Sequence, residues 1–556
     1  MRNKTIIFLV LLGFGLTLAA QQKQEALLLL TDRGHYISGE TINYRVIYRK
    51  PDGNNIAQWS RILYVELIMP NGTALKHGKV LIDSSGAMGS LSIPEGLSSG
   101  TYYMKAYTRW MRNCGPEGFV YTSIQIYDPY IDQILPEDTS GWKPIPVTEV
   151  LEQAEEHASE MLECKFEQDR YQTRQEVVAE LNWKFPHASA DLTLSVARVG
   201  LHGDQSYLSP GCSVDLMRKT KIIPETKGLS MTGQAVSAAD GSPAPYATIY
   251  VTVLGAEKDF FCNYSDSDGR FYFYYPAYEG DRDLFVSTYH SDHDNLELLI
   301  DRDFSVDALQ LPSNGMQLDD SLTAIITEMS VNAQISQQYY PSKEEIPAAA
   351  DSSEMFFYGS PTSTIYFDDF IKLPNLEEYF VEVVPQVAVK RTKGVRRLVL
   401  LGEHPDLAIY PPLLMIDGVA IFNVNAVLAV SPRLIQRVEI VNALYIRGNV
   451  TFGGIISLIS KNNDLAYIDL PSSGLLVNYR MLDIPRTDPL QDGVSDPRLP
   501  DVRNTIYWNP SLKMDPGQSQ KISFRTSDLK GEYEVLIRGA DTSGKFLEKR
   551  VGFTVE

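Results

Sequence analysis

A chain of 556 residues with 44% hydrophobic and 22% charged residues has room for several packed domains, and this composition excludes wholesale disorder. Its 70 acidic residues outweigh 50 basic ones for a net charge of −20, which argues against nucleic acid or an anionic lipid surface as the partner of the chain as a whole. The 31 tyrosines suit half-buried strands, where the ring packs and the hydroxyl stays wet.

The N-terminus reads as an export signal over residues 1–20. Arg2 and Lys4 precede an apolar run from Ile6 to Leu16, and Thr17-Leu18-Ala19-Ala20 supplies small residues for cleavage. The run is too short to span a bilayer comfortably, and no Cys lies near the cleavage site, so lipoprotein anchoring is not expected. The four cysteines, Cys114, Cys164, Cys212 and Cys262, are far apart. An oxidising compartment would allow pairing, but connectivity cannot be read from spacing, and buried free thiols are the simpler reading beside it.

Residues 24–135 read as a first β-sandwich. Alternation begins at Ile42-Asn43-Tyr44-Arg45-Val46, and Asn71-Gly72 is a hairpin turn between two apolar runs. Tyr36-x-x-Gly39-Glu40, the closing strand Gly100-Thr101-Tyr102-Tyr103 and the run from Ala106 to Asn113 resemble the second macroglobulin-type domain of α2-macroglobulin-like proteins, in the version found in exported Bacteroidetes proteins. Residues 140–225 read as a second sandwich of the same kind. Asp169-Arg170-Tyr171-x-x-Arg174-Gln175-Glu176-Val177 echoes the first motif, the strand Leu192–Ala197 closes the unit, and Val147 to Leu162 suits a short helix. In the third module, 228–312, a turn at Asp240-Gly241, a strand from Ala247 to Val253 and a hairpin at Ser265-Asp266-Ser267-Asp268-Gly269-Arg270-Phe271 resemble a carboxypeptidase-regulatory-like sandwich, the accessory domain without the zinc enzyme. Residues 313–375 read as a linker with two aromatic islands, Phe356-Phe357-Tyr358 and Tyr366-Phe367-Asp368-Asp369-Phe370, that would dock against a neighbouring domain.

The fourth module, 376–465, carries the most specific pattern. A helix is expected from Glu377. Pro412-Leu413-Leu414-Met415-Ile416-Asp417-Gly418-Val419 is a strand and a tight turn. Pro432 opens a helical turn, Arg437–Val441 is a strand, and Gly453-Gly454-Ile455-Ile456-Ser457-Leu458-Ile459 closes the unit. From Pro412 to Ile459 this resembles the plug domain of TonB-dependent outer-membrane receptors, with Lys461 or its neighbours standing where that family often has Thr. A receptor barrel needs about 22 strands and on the order of 200 strand residues. Residues 465–556 are too few for that, and 470–556 read instead as a C-terminal immunoglobulin-like sandwich.

The expected fold class is therefore mainly β: serial macroglobulin- and immunoglobulin-like sandwiches with one small α+β plug-like domain. Chemistry is sparsely signalled. Cys114-Gly115-Pro116-Glu117 lacks the Gln that a macroglobulin thioester needs three residues after its Cys. His290, Asp292, His293, Asp294 and Glu297 have ligand chemistry but sit in a charged turn, and Asp266, Asp268 and Gly269 fall short of a calcium loop. No catalytic residue, metal or cofactor is expected. The resemblance implies an exported, non-enzymatic binding or scaffold protein, periplasmic or associated with the outer membrane. Its partner would be an outer-membrane complex containing a barrel protein, with membrane contact only through partners. The residues expected to meet that partner are Phe356, Phe357, Tyr358, Tyr366, Phe367, Phe370, Asp417 and Gly418. An accessory role in TonB-dependent uptake and an unrecognised hydrolase are the alternatives.

Overall fold

The computed structural model describes residues 25–49, 59–84, 86–137, 161–208, 222–255, 258–289, 295–313, 320–340, 356–392, 395–402, 404–484, 493–494 and 496–556. The export signal, the expected 147–162 helix up to residue 160, Cys212 and His290–Asp294 lie outside them. The chain is mainly β, folded into sandwiches with one small α+β module.

The first sandwich packs a three-stranded sheet (Ala26–Thr31, Thr41–Arg49, Ala87–Ser92) on a larger one centred on Ile62–Ile68 and Gly100–Thr108. Both central strands are buried at every position, because the face turned away from the sandwich core is covered as well. That second face carries polar side chains, which are paired: Lys105 Nζ lies 2.9 Å from Glu66, and Lys79 Nζ donates to Asp303 at 2.5 Å. The Asn71-Gly72 hairpin forms where the sequence places it, joining Ile62–Ile68 to Ala74–Leu81.

The second sandwich departs from the sequence-based division. The strand Ala190–Arg198 lies between Thr505–Met514 and Gly531–Asp541, and Glu176–Trp183 lies between Leu162–Phe166 and Ser519–Arg525. The segments expected as two sandwiches, 140–225 and 470–556, thus share one core, in which Leu181, Leu192 and Val196 pack with Ile506, Val535 and Phe553. Each half supplies apolar strand faces that the other half covers, as a two-layer sandwich requires.

The sequence echo between the first two sandwiches is a structural repeat. In one, Glu40 N–H donates to Ile37 O and Ile37 N–H to Glu40 Oε2; in the other, Gln175 N–H donates to Gln172 O and Gln172 N–H to Gln175 Oε1. Tyr36 and Tyr171 each accept, through the hydroxyl, the backbone N–H three residues before them.

The third sandwich is inserted between the halves of the second. One sheet is Arg270–Tyr274, Ser230–Ser237 and Leu296–Ile300; the other is Asp259–Tyr264, Thr248–Val253, Asp281–Tyr289 and Leu475–Arg480. The expected hairpin at 265–269 instead crosses from one sheet to the other. Its turn is closed by the Asp266 carboxylate, which accepts N–H groups from Asp268 and Arg270 at 2.9 and 2.8 Å.

The α+β module is inserted in turn between Leu296–Ile300 and Leu475–Arg480. It is a five-stranded sheet in the order Ser363–Tyr366, Ile435–Val441, Ile455–Ser460, Leu413–Ile416, Val419–Ala420, with helices Leu376–Glu382 and Val424–Ala429 and a separate hairpin, Val387–Thr392 with Val395–Leu400. The expected linker holds a 20-residue helix, Asp320–Tyr339. Ile325, Ile326, Met329 and Ala333 recur at helical spacing and pack on Ile37, Tyr127, Ala197 and Leu201, where the first two sandwiches meet. The small polar residues around them masked that period.

Candidate functional site

The residues singled out from the sequence come together, but largely at a seam inside the chain. Asp417 has φ +50° and Gly418 +89°, the tight turn that Asp-Gly signals. A Cβ on Gly418 would lie 3.3 Å from Lys258 Cδ and 3.6 Å from Phe356. Lys258, from the third sandwich, donates to Asp417 O at 3.1 Å and sits over the Phe356 ring at 5.4 Å. Phe356 stacks on Tyr358, and Phe357 stacks on Phe260 of the third sandwich, 5.3 Å between centroids in each case. The Tyr358 hydroxyl donates to Glu439 at 2.7 Å, and burial holds its pKa above the usual phenol range.

The first aromatic island therefore docks on a neighbouring module of the same chain, and Asp417, only 4% exposed, faces inward. The second island divides. Phe367 is buried against Tyr379, 4.2 Å between centroids, while Tyr366 and Phe370 are 47% and 45% exposed. Only these two of the eight expected partner residues present a large apolar surface to solvent, because strand and core packing has consumed the others.

A second set of contacts closes the other side of the seam. Arg447 donates to Phe260 O and pairs with Asp259, both at 2.7 Å, and its guanidinium lies over Phe261. A Cβ on Gly448 would lie 2.0 Å from Cys262 O, so only glycine allows this approach.

Between the two modules opens a cleft of about 890 Å³, within the usual range for ligand pockets. Tyr250 and Tyr289 line one side and meet Phe422 of the α+β module, with centroids 4.4 and 5.3 Å apart. Consecutive residues Val395–Val399 line another side, including Arg396 and Arg397. None of these residues stood out from sequence. Their signal is the run Lys390-Arg391-Thr392-Lys393-Gly394-Val395-Arg396-Arg397, five basic residues in eight within an acidic chain.

One constellation resembles hydrolase machinery. Glu534 Oε1 lies 3.0 Å from His202 Nδ1, and His202 Nε2 lies 3.2 Å from Ser195 Oγ. Ser195 and His202 are each 1% exposed, buried where the first two sandwiches meet, so no substrate reaches them. The hydroxyl has one proton, and the shorter contact, 2.5 Å to Asp32 O, holds it. Burial lowers the His202 pKa and disfavours the imidazolium a triad must form. The group ties two sandwiches together.

Cys114 is disulfide-bonded, so of the two readings left open by the sequence pairing holds at this residue, and no free thiol is left there for a thioester. Cys164 and Cys262 are free and buried, with burial pushing their thiols up to about 11 and about 12. Among the described residues there is no group of three or more His, Cys, Asp or Glu placed to hold a metal, and no helix long and apolar enough to cross a membrane.

No protein-family model matches the chain, and no curated protein does. Among solved structures it is similar to the native conformation of E. coli α-2-macroglobulin, at 9% identity and TM-score 0.24 over 96% of this chain and 40% of that one. Salmonella α-2-macroglobulin reacted with methylamine aligns at 9% identity and TM-score 0.24 over 96% and 39%. Dimeric latent PorU from Porphyromonas gingivalis aligns at 8% identity and TM-score 0.15 over 50% and 34%. The chain spans about two fifths of the length of the macroglobulins it matches. Scores of this size leave the site to be read from the chain's own geometry.

Proposed function

We propose that this chain is an exported, non-enzymatic binding and scaffold protein that docks on an outer-membrane barrel complex, with the plug-like module 376–465 held as a rigid docking element. The observation that carries this reading is the double insertion. The plug-like module is nested in sequence within the third sandwich and leaves into it, since the edge strand Leu475–Arg480 pairs along Asp281–Tyr289 after the module ends. The chain before the module passes through the helix Asp320–Tyr339 at the seam of the first two sandwiches. A unit tied to the third sandwich by its exit strand and sealed against it by Lys258 and Arg447 is built to present a surface, not to swing as a gate. The order of motifs from Pro412 to Ile459 supports the plug-like identity, and the segment before Ala20 supports export to the periplasm or outer membrane.

Crosslinking in native outer membranes followed by pull-down tests this. Recovery of a barrel protein is expected, and recovery of none overturns the reading. The size of the cleft favours a second reading, an accessory that binds a nutrient for TonB-dependent uptake. That reading requires a small molecule to co-purify in the cleft and TonB to appear among the crosslinked proteins.

A further inference from the structure

We infer that the cleft beside the hairpin Val387–Thr392/Val395–Leu400 is a docking site for an extended acidic peptide segment, which adds as a third strand to the free edge of Val395–Leu400. The inference deepens the docking reading above by naming the partner's chemistry.

Among the described residues this strand has one ladder partner, Val387–Thr392. All of Val395–Val399 line the cleft. A strand that turned a face to the cleft would contribute alternate residues, since successive side chains point to opposite sides. Consecutive lining is what an edge contributes, and an edge offers unpaired N–H and C=O groups to an incoming strand.

Charge selects the occupant. The hairpin register sets Lys390 opposite Arg397 and Arg391 opposite Arg396. Like charges directly opposite destabilise a two-stranded ladder. Within the chain, Glu377 meets Arg391 at 2.7 Å and Arg396 at 3.4 Å, and one carboxylate cannot balance four cations. Lys390 and Arg397 have no ion-pair partner among the described residues. A strand carrying Asp or Glu beside Val395–Arg397 supplies the missing charge. Further in, Leu398, Val399 and Leu400 are buried, and Tyr250 and Phe422 stand across the cleft. The matching segment is therefore acidic at one end, with alternating apolar residues following.

Fluorescence polarisation on the full chain tests this with a labelled ten-residue peptide of three Glu followed by alternating Val and Tyr. Three comparison probes are used: the same peptide with Lys for Glu, one with Pro at alternate positions, and vesicles containing phosphatidylglycerol. The Glu peptide is expected to bind at least tenfold more tightly than the Lys and Pro versions. K390E/R397E is expected to reverse the preference, favouring the Lys peptide, and both positions are exposed, so the variant keeps the thermal melt of the parent. Equal binding of Glu and Lys peptides, equal binding of the Pro peptide, or an unchanged preference in K390E/R397E overturns the inference. Vesicle binding without peptide binding also overturns it and assigns the hairpin to a membrane surface. If the peptide fails while the pull-down still recovers a barrel protein, the inference alone falls; if both fail, the docking reading falls with it.

Discussion

Arg174 stands in the second sandwich where Gly39 stands in the first, and both adopt the left-handed backbone, at φ +58° and +87°. Arg174 holds that strained position through a two-pronged pair to Asp528, at 2.5 and 2.6 Å, and through donation to Asp496 O and Leu499 O. Gly39 needs no such support. R174G is therefore expected to stay within about 1 kcal/mol of the parent, since relief of strain offsets loss of a partly exposed pair. R174A keeps the strain and loses the pair, so it should be the less stable of the two by about 1 kcal/mol. Urea melts of both variants check the order, and R174A matching R174G would show that the backbone is unstrained.

Asp417 organises the exit from the α+β module. Its carboxylate accepts the N–H and hydroxyl of Ser460 at 2.7 and 2.6 Å and the N–H of Leu465 at 2.8 Å. That last bond holds Leu465, Ala466 and Tyr467 in three successive left-handed conformations, which cost roughly 1 kcal/mol or more each. D417A should cost about 3 kcal/mol or more, with new proteolytic cleavage between residues 461 and 470. Intact resistance in that segment would remove Asp417 from this role.

Arg109 joins the first sandwich to the third. It donates to Ser230 Oγ at 2.9 Å and Asp303 at 3.0 Å and lies 3.5 Å from Glu225, all in a buried site. R109M leaves the buried Glu225 without a cation, while Asp303 keeps Lys79, and should cost about 3–5 kcal/mol. Adding E225Q should recover part of that loss, because burial already pushes the Glu225 carboxyl upward. A double variant less stable than R109M would mean that Glu225 is held by other groups.

Burial raises the pKa of Asp483 from 3.8 to about 6, despite Arg480, Lys76 and Lys79 nearby. The folded protein keeps this proton where the unfolded chain has released it. Stability from this group thus falls as pH rises from about 4 to about 6 and is level above. D483N should flatten that slope and gain on the order of 1–2 kcal/mol at pH 7, a figure reduced because part of the carboxylate still meets water. Thermal melts between pH 4 and 7 measure it, and parallel curves for parent and variant would contradict it.

The buried Ser195–His202–Glu534 group should leave Ser195 unlabelled by a fluorophosphonate probe in the folded protein. Labelling that S195A abolishes would revive the hydrolase alternative.

Local chemistry was legible in the sequence. The turns at Asn71-Gly72, Asp240-Gly241 and Asp417-Gly418 formed where their residues demand positive φ, and the strands on either side of Asp417 followed from apolar runs. The Tyr-x-x-x-Glu/Gln echo proved to be one turn built twice. The tertiary structure alone decided that Ala190–Arg198 pairs with Gly531–Asp541, that Leu475–Arg480 returns to the third sandwich, and that Phe356 meets Lys258. An amphipathic strand announces that one face must be covered but not which strand covers it. The choice among distant partners belongs to the whole core, and it is that choice which turned most of the expected docking residues inward and left the edge of Val395–Leu400 open.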